Sequence, residues 1–195
     1  MKLHFESDLD YQLAAIEAVC DLFRGQEQTR SVFSVVREAT GNAPLLPGHD
    51  LDGGTGNRLT LLDDQIEANL REIQQRNGIK PSGDLKKGAY DFTVEMETGT
   101  GKTYVYLRTI FELNRRFGFS KFLIVVPSIA IKEGVFKTLQ ITREHFSGLY
   151  ANVPYEFFLY DSGKLGQVRT FATSSAIQIM VMTKASIDKK DINTI

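Results

Sequence analysis

A single cysteine, Cys20, is all the thiol chemistry that this chain of 195 residues holds. It can form no internal disulfide, which fits a reducing compartment, and its apolar helical setting makes it packing rather than a reactive group. A surplus of either charge is also lacking: 23 Lys and Arg face 24 Asp and Glu, for a net charge of −1. That excludes a global basic field, so any affinity for nucleic acid has to come from a local surface. No apolar run is long enough to span a bilayer, and Met1 to Asp8 lack the apolar stretch of a signal peptide. No membrane partner is therefore expected, and a cytoplasmic location is. The three histidines, His4, His49 and His145, stand without Cys or carboxylates at ligand spacing, so no metal site is read from them.

What is present is concentrated in one octapeptide, Met96-Glu-Thr-Gly-Thr-Gly-Lys-Thr103. Two alternating glycines, Gly99 and Gly101, let the backbone turn tightly so that successive N–H groups point into one concavity. Lys102 and the hydroxyl of Thr103 follow at once, placed to meet outer phosphates and a Mg²⁺ ion. Met96 stands where the common form of this motif has its leading glycine. The tail that touches phosphate, Thr98 to Thr103, is intact. Asp91 to Glu95 reads as a short strand ahead of the loop, and Lys102 to Phe117 as a helix carrying Val105, Leu107, Ile110, Phe111 and Leu113 at helical spacing. That order lets the helix start add free N–H groups and its positive dipole end.

Elsewhere, Tyr11 to Phe23 predicts an amphipathic helix through Ile16, Val19, Cys20 and Phe23, with Asp8 or Asp10 as N-cap. Residues 25–87 change character, with turn-rich stretches at Asn42 to Gly48 and Asp52 to Asn57. They read as an insertion, holding a second helix from Leu62 to Arg76 that stops at Gly78. Gly53, Gly54 and Gly56 lack a preceding apolar strand and a following Lys, so a surface loop is expected there rather than a second phosphate loop. Phe122 to Val126 is a continuous apolar run expected to be covered on both faces, ended by Pro127, with a helix from Ala130 to Phe146 after it. Glu156 to Tyr160 and Gln178 to Met182 are two further strands. Parallel strands joined by helices give an α/β fold, a three-layer α/β/α sandwich with ligands at the carboxyl ends of the strands, where the Gly99 loop is expected.

Three segments together resemble a known family. Tyr11-Gln12-Leu-Ala-Ala-Ile16 resembles the glutamine motif of superfamily-two helicases, Met96 to Thr103 their first motif, and Phe122-Leu-Ile-Val-Val-Pro-Ser128 the next. Within that superfamily, residues Val94 to Tyr106 and Val125 to Val135 are most similar to the restriction subunit of Type III restriction-modification enzymes. Asn69 to Gln74 and Phe158 to Ser162 are similar as well. The resemblance implies a RecA-like motor domain, incomplete here, with the chain as its N-terminal part. It implies ATP and Mg²⁺ as cofactors, with Lys102 neutralising β- and γ-phosphate charge, Thr103 ligating Mg²⁺, and Thr98, Gly99, Thr100 and Gly101 supplying the backbone cradle. Gln12 would read the adenine edge; an exposed polar residue in a first helical turn is the plainer alternative. Pro127 and Ser128 would hold a DNA phosphate. A proline closing a buried strand and a serine capping a helix would look the same. Thr183 matches a later nucleic-acid-facing position only weakly.

The resemblance further implies double-stranded DNA, a DNA methyltransferase subunit, and a remainder of the polypeptide with a second motor domain and nuclease as partners. The Asp-Glu pair such motors use on Mg²⁺ is missing: Asp188 and Asp191 read as a solvated face, and Asp161 has no Glu beside it. A fragment of a longer polypeptide that binds ATP weakly and scarcely hydrolyses it is therefore expected. Arg115-Arg116 and Lys189-Lys190 read as solvated surface, and Tyr150, Tyr155, Phe157, Phe158 and Tyr160 as sheet packing more than base stacking. A nucleotide-binding interaction module without motor activity is the competing reading. A small-molecule kinase is a third, in which Gln12 and Pro127-Ser128 would have no role.

Overall fold

A computed structural model describes residues 5–36, 51–82 and 90–187. In chain order its elements are α1 (Asp10–Asp21), β1 (Arg30–Val36), β2 (Leu51–Asn57), α2 (Asp63–Arg76), α3 (Lys102–Phe117) and β3 (Lys121–Val126). There follow α4 (Ile129–Ile141), α5 (Arg143–Leu149), β4 (Tyr155–Leu159), α6 (Leu165–Thr173), β5 (Ile177–Thr183) and α7 (Lys184–Ile187). They belong to two units, one within Met1–Thr29 and Leu59–Gly118, the other within Arg30–Arg58 and Phe119–Ile195.

The first unit is helical. In α1, Ile16 and Cys20 come one turn apart and are both buried, as are Val105, Leu107, Ile110 and Phe111 of α3. The two helices pack on these faces, and Arg116 of α3 donates to both carboxylate oxygens of Glu17 on α1, one bond at 2.8 Å. Arg115 and Arg116 also pair with the buried carboxylate of Glu112; Arg115 stays 62% exposed, as expected of solvated surface, and Arg116 is half-buried between Glu17 and Glu112. Helix α2 is tied to the end of α1 by Asn69, whose amide donates to the carbonyls of Leu22 at 3.1 Å and Arg24 at 3.0 Å. Neither Asp8 nor Asp10 caps α1: Leu9 is the N-cap, and Asp10 is the first helical residue, where its charge still favours the dipole. Helix α2 begins where expected, with Gln65 reaching back to the Leu62 amide at 2.9 Å. Gly78, at φ +67°, takes the left-handed conformation that stops it.

The second unit carries a parallel sheet in the order β3-β5-β4 and a separate antiparallel pair, β1 with β2. The seven residues of β5 are all buried, with Ile179 and Val181 fully enclosed. Each such side chain contributes about 1.5–3 kcal/mol relative to an exposed one. Thus β5 is the strand sheathed on both faces, and β3 is not: Leu123 is 55% and Val125 47% exposed, alternating with covered residues. Continuous hydrophobicity permits burial of both faces but does not supply the neighbours that bury them. Phe157 packs edge-on against Phe136 at 5.4 Å, and Arg143 sits over the Tyr155 and Phe157 rings, in line with a packing role for these aromatics.

Three further expectations are corrected. Asp91 to Glu95 forms no strand: it has no ladder partner among the described residues, Val94 is exposed, and a segment without such a partner is not a strand. Gly53, Gly54 and Gly56 lie in strand β2, not a loop, because pairing with Ser34, Phe33 and Ser31 of β1 outweighs poor local propensity. Asn57 at the end of β2 then fastens the start of β3, accepting from the Ser120 amide at 2.8 Å and donating to the Lys121 carbonyl at 2.8 Å. The helix expected from Ala130 to Phe146 is two, broken at Thr142, whose buried hydroxyl donates back to the Thr138 carbonyl at 2.8 Å. Asn42 to Gly48, Asp188, Lys189, Lys190 and Asp191 lie outside the described residues.

Candidate nucleotide site

Helix α3 starts at Lys102, as its sequence predicts, and Gly101 is its N-cap at φ +83°, ψ +33°. Gly99, at φ +84°, is the other left-handed residue of the loop. These two positions admit side chains only with strain. At Gly101 there is a second reason: a Cβ there would lie 2.7 Å from Nε2 of Gln12, whereas at Gly99 it would meet nothing within 4 Å. The first amides of α3, Lys102, Thr103 and Tyr104, have no carbonyl a turn earlier within the helix, so the loop and helix start together form a cradle for an anion.

The loop is braced from within. The Thr100 hydroxyl donates to the Glu97 carbonyl at 2.7 Å. The Lys102 ammonium donates to the carbonyls of Met96 and Glu97, both at 2.6 Å. Its charge is thus held over the loop by main-chain oxygens, neutral partners that an anion outbids in a charge-assisted bond. Burial, first, pushes the Tyr106 phenol above its ordinary value, while a hydrogen bond with the Thr103 side chain pulls the other way.

Gln12 joins this arrangement. It is 6% exposed, not a solvent-facing residue of a first helical turn. Its Nε2 donates to the Thr100 carbonyl at 2.9 Å, and its Oε1 is buried with no hydrogen-bond partner among the described residues. The orientation follows from chemistry: turning the amide over would set two acceptors against one another. An orphaned buried acceptor costs about 1–3 kcal/mol, so Oε1 is a vacancy for a donor.

Gln12 and Thr98 to Thr103 therefore come together in one unit, and Pro127 and Ser128 belong to the other. Both of the latter are exposed, at the carboxyl end of β3. Ser128 is the N-cap of α4, its hydroxyl oxygen accepting from the Ile131 amide at 3.3 Å. Sequence reasoning did not reach the Met96 and Glu97 carbonyls that hold Lys102, since no side-chain letter encodes a backbone oxygen.

A left-handed glycine loop opening a helix, with a lysine and a hydroxyl at its first two positions, defines a phosphate-loop α/β protein. The family model for the Type III restriction enzyme, res subunit, matches residues 58–194, and the chain belongs to that family. The parallel β3-β5-β4 sheet with its helices agrees with the RecA-like α/β fold of that family. The chain is similar to the Type III restriction-modification enzyme EcoPI Res subunit of Escherichia phage P1, 35% identical over 75% of this chain and 14% of that protein. The EcoP15I Res subunit of Escherichia coli is 36% identical over 74% of this chain and 14% of its own length. The StyLTI Res subunit of Salmonella typhimurium is 42% identical over 57% of this chain and 12% of its own. The chain thus matches only about one seventh of the length of the first two relatives.

Proposed function

We propose that this chain is the ATP-binding part of an ATP-dependent DNA helicase or translocase motor of a Type III restriction endonuclease. In this reading, residues 1–195 form the N-terminal part of the first motor domain, with 25–87 inserted between the glutamine motif and the phosphate loop. The observation that supports it best is the Gln12 amide, packed against the loop through Thr100 and left with one unsatisfied acceptor. The exocyclic amino group of adenine is a donor of the required kind, so base recognition and the phosphate cradle share one hydrogen-bonded unit.

Thr98 to Gly101 would cradle the phosphates through their amides, Lys102 would exchange its two carbonyl partners for phosphate oxygens, and Thr103 would turn its hydroxyl to Mg²⁺. ATP with Mg²⁺ supplies the phosphoryl-transfer energy that drives such a motor. Pro127 and Ser128 would meet a DNA phosphate at the end of β3, where Ser128 retains its hydroxyl proton as a donor. Duplex DNA, a methyltransferase subunit and the remainder of a longer polypeptide, with a second motor domain and nuclease, are the partners of this reading, in the cytoplasm. Among the described residues no helix is long and apolar enough to cross a membrane.

Without a second motor domain and its arginine, worth about 10³–10⁵ in rate in related phosphoryl-transfer systems, the chain would bind ATP and scarcely turn it over. Thermal melting with ATP and Mg²⁺ tests this. At a nucleotide concentration about ten times Kd, stabilisation of about 1.4 kcal/mol raises Tm by a few degrees. Phosphate release should stay near background with or without duplex DNA. No melting shift would sink the nucleotide assignment, and brisk DNA-stimulated release would sink the inference of weak hydrolysis.

A further inference from the structure

We propose that Arg108 is a positioning residue for base recognition: its buried guanidinium pins residues 5–9 to α3 and so sets Gln12 at a fixed place beside the phosphate loop. The inference rests on the adenine reading of Gln12 and names what makes that reading selective. Arg108 is 8% exposed. A guanidinium keeps its charge, so it sits at that depth only among acceptors. Its Nη1 donates to the Ser7 carbonyl, a charge-assisted bond between residues 101 positions apart. The same guanidinium donates to the phenol oxygen of Tyr104, one turn back on α3 and equally buried. Phe5 stacks on the Tyr104 ring, with centroids 6.2 Å apart and planes 9° from parallel. Two residues of α3 thus hold two residues of the leading segment, one through a hydrogen bond and one through an aromatic face.

The reach to Gln12 follows from how α1 begins. Its N-cap is Leu9, which offers no side-chain hydrogen bond to the first turn. A helix start without such a cap frays unless another contact fixes it. Gln12 lies in that turn: its backbone N–H and that of Leu13 donate to the Leu9 carbonyl at 2.9 and 3.0 Å. Ser7 stands just ahead of Leu9, so the Arg108 bond holds the chain where α1 lacks a cap. The far half of α1 is tied separately, by Arg116 on Glu17. From this held backbone the Gln12 amide reaches the Thr100 carbonyl. Helix α3 opens at Lys102 in the phosphate cradle, and Arg108 follows about 9 Å further along its axis. One rigid helix therefore gauges the separation between the groups that meet phosphate and the side chain that meets the base. A freed Gln12 amide could turn over and offer Nε2 to the guanine carbonyl as readily as Oε1 to the adenine amino group. Selectivity is that difference of affinities, and it lasts only while the backbone of Gln12 is held.

Isothermal titration of ATP, GTP and inorganic tripolyphosphate, each with Mg²⁺, into the whole chain tests this. Arg108→Met, which keeps an apolar stem of similar length, should weaken ATP about two- to tenfold, within what one hydrogen bond is worth, and leave GTP and tripolyphosphate within about twofold of wild type. The advantage of ATP over GTP should return in Arg108→Lys, whose ammonium can still donate to the Ser7 carbonyl. Adding Arg108→Met to Gln12→Ala should change nothing further, because both act on one contact. Phe5→Leu removes only the stack and should lower the same advantage by a smaller factor; it carries the test if circular dichroism and a thermal melt show Arg108→Met unfolded. An ATP-to-GTP ratio unchanged in folded Arg108→Met, or in Phe5→Leu where the former does not fold, would overturn the role of Arg108 and leave the Gln12 reading standing. Equal losses for ATP, GTP and tripolyphosphate would make Arg108 a structural residue alone and overturn that role as well. No preference for ATP over GTP in the wild type would overturn both.

Discussion

The two units of this chain divide their information in opposite ways. In the helical unit, chemistry fixes letters: Gly101 is required both by a left-handed φ of +83° and by the approach of Gln12, and Lys102 and Thr103 must follow it. In the sheet unit, burial fixes only a type of residue: any apolar side chain of the right volume would serve at Ile179 or Val181, and the residues with chemical potential are scattered over three segments. A site made of one short stretch shows in sequence as a motif. A site assembled by topology does not.

The largest effect should come from the sheet. Ile179→Ala, at a fully enclosed position of β5, should cost about 2–5 kcal/mol in urea denaturation. Leu123→Ala, on the exposed face of β3, should cost less than about 1 kcal/mol. Equal losses would erase the distinction between a sheathed and a half-open strand. In the helical unit the sharpest contrast lies within one loop. Gly99→Ala and Gly101→Ala both meet the left-handed cost of about 1–2 kcal/mol. Only Gly101→Ala also meets the Gln12 amide, 2.7 Å from Nε2, so it should weaken ATP binding beyond Gly99→Ala by up to the roughly two- to twelvefold that one hydrogen bond is worth, and matching behaviour of the two variants would contradict the observed geometry.

Smaller again is the effect of Gln12→Ala, which removes one hydrogen bond to the base, worth about 0.5–1.5 kcal/mol or about two- to twelvefold in affinity. ATP should suffer this and GTP should not; equal losses for the two would remove the adenine assignment. The smallest effect concerns pH. The hydrogen bond from Arg116 first, opposed by partial burial and helped by the Arg116 charge, holds Glu17 below its ordinary value of 4.5. A depressed folded pKa means the contribution is present above 4.5 and lost as pH falls through the folded value. Glu17 is half-exposed, so the loss is modest. Arg116→Met should flatten that part of the acid limb in denaturation curves taken at falling pH, and an unaltered limb would show the pair to be inert.

Much of the architecture was legible in the residues. Helix α3 spans the very residues its periodicity marks, Lys102–Phe117, because Gly101 and Gly118, both left-handed, bound it chemically. The strands β3, β4 and β5 fall within a residue or so of their apolar runs. What was not legible depended on partners. The glycines of β2 became a strand through pairing with β1, Asp91 to Glu95 did not for want of a neighbour among the described residues, and β3 lacked the second cover its hydrophobicity would allow. At the site, Lys102, Thr103 and the glycines were readable. The Gln12–Thr100 bond, a contact between residues 88 positions apart, was not, since only the fold brings them together.

Isothermal titration of ATP with Mg²⁺ into the wild-type chain and Lys102→Ala, with circular dichroism to show both folded, bears most directly on the phosphate cradle. Saturable one-to-one binding that disappears in the variant is the expected result. Binding of unchanged affinity and enthalpy in Lys102→Ala would place the nucleotide elsewhere and contradict the account.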